Sequence, residues 1–198
     1  MGNNQQSQNK LVFLFGEQKD LFKRITDDLF TNLDLPDESR PVTNNDNISM
    51  QLKPPKPNSN SVQLTAQQRA NCNFLLCCSP MKAKPLWQHY FNELTGYIFA
   101  IDLSKQSYLK DAEREFASLC DMLVTNEHQT EFCKPLLVIA ISTSNAVDGE
   151  QEADAEQVHS LTEVHNVLLC KNNNFTRVHI VQDKLVDGVL WLLDNINE

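Results

Sequence analysis

Glycine is scarce in this sequence, five residues in 198, and the one that closes the first apolar run, Gly16, has no second glycine behind it. A phosphate loop of the form G-x-x-x-x-G-K-[ST] needs both, because backbone N–H groups wrap the phosphates while a lysine and a magnesium-binding hydroxyl point inward. Five positions after Gly16 stands Leu21, with Phe22 at the lysine position and Lys23 at the hydroxyl position. One step along a helix turns Lys23 by about 100° from the direction a phosphate would require. Tight nucleotide binding is therefore not expected, nor are a cofactor and a catalytic residue.

Other absences narrow the class further. Basic residues are outnumbered, 17 against 26 acidic, and the formal charge of −9 repels polyphosphate and anionic lipid, so nucleic acid is not an expected partner. No apolar run approaches the roughly 20 residues that cross a bilayer, which excludes stable membrane insertion. The opening MGNNQQSQNK has no hydrophobic signal core, so the expected location is cytoplasmic or nuclear. A myristoylation pattern at Gly2 wants Ser or Thr at position six; Gln6 stands there, with Ser7 one place late. The six cysteines supply no second ligand pair beside Cys72 and Cys77, which a strand would put on opposite faces, so no metal site is expected. Nothing in the spacing of Cys78, His89 and Asp102 supports a nucleophilic triad. The acidic run from Asp148 to Glu156 lacks the spacing of a calcium loop and reads as solvated.

What is present is an alternation of apolar strands and amphipathic helices. After the strand that ends at Gly16, Leu21, Ile25 and Leu29 share one helical face. Asn44 to Asn47 reads as a turn into Ile48-Ser49-Met50-Gln51-Leu52, whose strict alternation marks a half-exposed edge strand. KPPKPNSNS, Lys53 to Ser61, has three prolines and reads as surface loop. Asn73 to Cys78, Gly96 to Asp102 and Pro135 to Ile141 are continuous apolar runs of buried strands. Leu86 and Tyr90 suggest a short helix after Pro85. Leu109, Ala112, Phe116, Leu119 and Leu123 line a long helix, Leu161 to Leu168 a shorter one, and Leu185, Val189, Leu192 and Ile196 a closing helix after a strand at Arg177 to Val181. The order implies an α/β fold: a six-stranded, mostly parallel sheet with one antiparallel edge strand and helices on both faces. Residues 1–9 read as a disordered polar leader and 10–198 as a single domain with a proline-rich loop at 53–70.

PLWQHYF at Pro85 to Phe91, the following GYIFAIDLS, PLLVIA at the penultimate strand and DGVLWLLDNI at Asp187 to Ile196 resemble the Arf-like branch of the small GTPases. The resemblance implies a three-layer Ras-like fold. Its nucleotide motifs are altered wherever they can be aligned. The D-x-x-G motif falls on Cys78-Ser79-Pro80-Met81, the guanine-reading N-K-x-D motif on Ile141-Ser142-Thr143-Ser144, and the final S-A-K loop on Val181-Gln182-Asp183-Lys184; Thr43 alone could mimic the switch threonine. The expectation is a pseudo-GTPase without enzyme activity that serves as a protein-interaction module, an adaptor or substrate-recognition scaffold. The strand–glycine–helix opening, ISMQL, PLLVIA and GVLWLL further resemble the C-terminal GTPase-like domain of F-box only proteins, which implies a role related to ubiquitin ligases; no F-box segment precedes the domain here. A GTPase-like centromere subunit and a divergent Arf-like GTPase that still binds guanine nucleotide are the alternatives. An unrelated hydrolase would have to rely on Asp102, which reads better as a turn residue. Protein partners would add a strand along Ile48, Ser49, Met50, Gln51 and Leu52, unless Lys53 and its prolines protect that edge.

Overall fold

Strand Leu11 to Phe15 carries apolar side chains on both faces, and the sheet is built around it. In a computed structural model, which describes residues 10–16, 19–44, 47–55, 62–80, 89–103, 106–127, 132–141, 161–169 and 175–196, β1 (Lys10–Gly16) lies between β4 (Phe74–Pro80) and β5 (Leu94–Asp102), parallel to both. β6 (Leu136–Ile141) and β7 (Val178–Gln182) continue the parallel half, and β2 (Val42–Asn44) and β3 (Asn47–Leu52) form the antiparallel half, in the order β2-β3-β4-β1-β5-β6-β7.

Two cores flank this sheet. Alternate residues of β1 split between them, Val12 and Leu14 to one face and Leu11, Phe13 and Phe15 to the other, as the period of two requires. On the first face lie α1 (Lys19–Asn32), through Leu21, Phe22, Ile25 and Leu29, and α5 (Leu185–Asn195), through Leu185, Val189, Leu192 and Leu193. On the second lie α3 (Gln106–Glu127), through Leu109, Phe116, Leu119 and Leu123, and α4 (Leu161–Leu169), through Val164 and Leu168. This is the three-layer α/β fold expected of the strand–helix alternation, and no helix among the described residues is long and apolar enough to cross a membrane.

Three features depart from expectation. The sheet has seven strands, not six, because Val42–Asn44 pairs with β3 across the turn expected at Asn44 to Asn47. Ile48–Leu52 is consequently not an edge strand. It keeps the predicted alternation, with Ile48, Met50 and Leu52 buried and Ser49 and Gln51 half-buried, but it pairs with β4 along its length and with β2 over Asn47 to Ser49. Within the stretch read as a loop at 53–70, Ala66–Asn71 is helical (α2), started by a reciprocal capping box in which Thr65 Oγ1 accepts from Gln68 N–H and Gln68 Oε1 accepts from Thr65 N–H. Of the short helix expected after Pro85, Leu86 lies outside the described residues and Tyr90 stands in a turn before a single 3-10 turn at Phe91–Glu93; the leader at 1–9 and the acidic run from Asp148 to Glu156 lie outside the described residues.

Candidate functional site at the end of β1

A parallel sheet binds ligands beyond the carboxyl ends of its strands, and the end of β1 is where a phosphate loop would start. β1 ends at Gly16 and α1 begins at Lys19, so two residues connect them. The segment that should be loop is already helix by Leu21, Phe22 and Lys23. Leu21 and Phe22 are buried, while Lys23 is exposed on the opposite side of α1. The position of the phosphate-binding lysine is thus held by an aromatic side chain of the first core. Thr26, one turn on, bends its hydroxyl back to donate to Phe22 O at 3.0 Å and Lys23 O at 2.9 Å, which buries it without a free donor.

Gly16 is constrained from both sides. Its φ is +154°, and a Cβ built there would stand 3.0 Å from Ala100 O and 3.2 Å from Phe22 Cε1. The glycine is kept here for close packing of strand, neighbouring strand and ring. The start of α1 keeps one phosphate-friendly property, the positive end of its helix dipole.

The other motif positions divide between core and surface. Cys78 lies in the first core, where burial, reinforced by the neighbouring Cys77, holds its thiol well above the ordinary value. That removes it as a nucleophile at neutral pH. Pro80, opposite Gly16 at the top of β4, has no N–H to offer. Ile141 is buried at the end of β6, and Ser142 to Ser144 and Met81 lie outside the described residues. In the last loop Val181 is buried, and Asp183 takes a left-handed φ of +52° while its N–H donates to Ala140 O at 3.1 Å. Thr43 is exposed within β2, opposite Ile48. Asp102 is half-buried at the end of β5 and has a partner.

An open cleft of about 210 Å³ lies where Asp28 and Asn32 of α1 face Asp183, Lys184 and Asp187 at the start of α5. Three carboxylates against one ammonium make it hostile to a polyphosphate. Cys72, which ends α2 ahead of β4, packs into the first core and Cys77 of β4 against the second, and among the described residues no group of three His, Cys, Asp or Glu could hold a metal ion.

Strand addition along Ile48, Ser49, Met50, Gln51 and Leu52 would meet β4 along one side of β3 and β2 along Asn47 to Ser49 of the other. Among the described residues the sheet is open instead at β2 and at β7. Arg177 O accepts from Leu136 N–H and Asp183 N–H donates to Ala140 O; since the N–H and C=O of one residue in a parallel ladder point the same way, the outward groups of β7 are those of Val178, Ile180 and Gln182. The signal for β2 was slight, three residues with a single apolar side chain.

The described elements from the end of β3 to the end of α5 coincide with a known family: Arf, the ADP-ribosylation factor family, matches residues 51–196. The match overturns the expectation of a chain without enzyme activity, because that family consists of GTPases, which are hydrolases.

Proposed function

From the premise that this chain belongs to the ADP-ribosylation factor family, we propose that it acts mainly by recognising protein partners, as an adaptor or substrate-recognition scaffold, and holds guanine nucleotide more weakly than a complete phosphate loop would. The observation that carries this reading is Phe22, buried at 1% exposure at the lysine position and packed against Gly16. Each lost charge-assisted contact is worth about 1.5–3 kcal/mol, and about 1.4 kcal/mol is tenfold in affinity. Losses at the phosphate loop and at Cys78-Ser79-Pro80-Met81 together lower affinity by several orders of magnitude. The same frame offers partners two open sheet edges, and strand addition at such an edge uses only backbone groups already in place.

Calorimetry and thermal unfolding with GTP or GDP plus magnesium test this reading. No heat of binding and no rise in Tm are expected at micromolar nucleotide. A clear rise overturns the reading, because a ligand that binds only the folded state must stabilise it. The second reading, a divergent GTPase of the family, is favoured by the family match and by the positive dipole end of α1, which follows β1. Turnover of GTP by the purified chain, abolished by substitution at the α1 N-terminus, would establish it.

A further inference from the structure

The C-terminal end of α5 is completed by side chains from distant parts of the chain. A helix leaves its last four carbonyls without partners inside the helix. Here Leu193 O accepts from Asn71 Nδ2 at 2.6 Å, Asp194 O from Gln67 Nε2 at 3.3 Å and Asn195 O from Arg177 Nη1 at 3.2 Å. Two of those three donors belong to α2, the short helix in the connection between β3 and β4. A third α2 side chain, Gln68, donates through Nε2 to the Asp194 carboxylate at 3.0 Å.

Asn71 is the centre of this arrangement. It is buried at 2% exposure, and while its amide nitrogen serves α5, its Oδ1 accepts from Lys10 Nζ, at the start of β1, at 2.6 Å. The connection is tied at its other end too, since Arg69 Nη1 donates to Pro55 O at 3.0 Å. We infer that α2 is a latch that makes the β3–β4 connection and the end of α5 a single opening unit, so that a ligand engaging either one is felt at the other. The Asn71 amide is buried, so withdrawing it takes the partner from a helix carbonyl and from the part-buried Lys10 ammonium at once. Neither side can open without exposing both. Burial lowers the Lys10 pKa, as expected for an ammonium placed in this junction. Coupling of this kind is reciprocal by thermodynamic necessity.

Hydrogen exchange on the whole chain tests the latch. Asn71→Ala should speed exchange by about tenfold or more in both Ala66–Asn71 and Leu185–Asn195, and leave Ile98–Ile101 in the central strand within about twofold. Faster exchange in α2 with α5 unchanged overturns the inference. Should Asn71→Ala fail to fold, Gln68→Ala carries the test, with the exposed Gln63→Ala as control. Parallel acceleration of both segments in Gln68→Ala supports the latch, and acceleration confined to α2 overturns it.

Discussion

Phe22 Cε1 lies 3.2 Å from the point where a Cβ on Gly16 would stand, so the ring and the missing side chain compete for one volume. Gly16→Ala should destabilise the fold by about 1–3 kcal/mol, through overpacking and through a backbone angle that L-residues rarely adopt. The shift appears as a lower urea midpoint. In a Phe22→Leu background, where the ring is gone, the added cost of Gly16→Ala should shrink while the part due to Ala100 O remains.

Gly188 is the equivalent contact on α5. A Cβ there would stand 2.9 Å from both Leu137 Cδ1 and Val181 Cγ2, so helix and sheet touch through a bare backbone. Gly188→Val should cost about 1–3 kcal/mol. Two-state denaturation monitored by Trp191, which stacks on His179 of β7 at 5.0 Å, would report it.

Glu115 on α3 is 7% exposed and its Oε1 has no hydrogen-bond partner among the described residues. A buried polar atom left unsatisfied costs about 1–3 kcal/mol. Glu115→Met should therefore raise the midpoint of unfolding, and an unchanged or lower midpoint would show that the carboxylate is supported by a contact it lacks here.

Alkaline pH should loosen the core through its thiols. Burial pushes Cys72 up to about 11 in spite of the nearby Arg69 charge, and burial with the neighbouring Asp121 pushes Cys120 up to about 12. The folded state favours the protonated thiol, so its contribution is complete below the ordinary value of 9.0 and is lost as pH rises toward 11 and 12. The urea midpoint should fall between pH 8 and pH 10.5. Lys10, lowered by burial, has the opposite slope, and Cys77 and Cys78, also raised by burial, keep their share, so the Cys72→Ala/Cys120→Ala variant should show a shallower decline and not its loss. Among the described cysteines, Cys133 is exposed and should be alkylated first in the native protein; peptide mapping reads this directly.

The parallel core was legible because its strands are unbroken apolar runs: VIAI in β6 and YIFAI in β5 cannot be placed anywhere but between two helical layers. Phe22 was legible as a side chain out of place for phosphate chemistry, and its burial gives the reason, since the register of α1 that puts Leu21, Ile25 and Leu29 on the sheet puts Phe22 there too. β2 was not legible. Val42 is 53% exposed and its two companions are polar, so the strand exists by pairing with β3 and not by burying anything of its own. α2 contains no large apolar residue, yet Thr65-x-x-Gln68 is a capping-box signature that could have placed it. Asn71, which ties β1 to α5, gave no local sign, because its partners lie 61 and 122 positions away.

The placement of β1 has a consequence during synthesis. It precedes every other described strand in the chain, yet it sits between β4 and β5 and cannot be paired on both sides until the chain through Asp102 has followed it. LVFLF therefore waits as a sticky nascent segment while the stretch through Asp102 is made, and chaperone demand should concentrate in that interval.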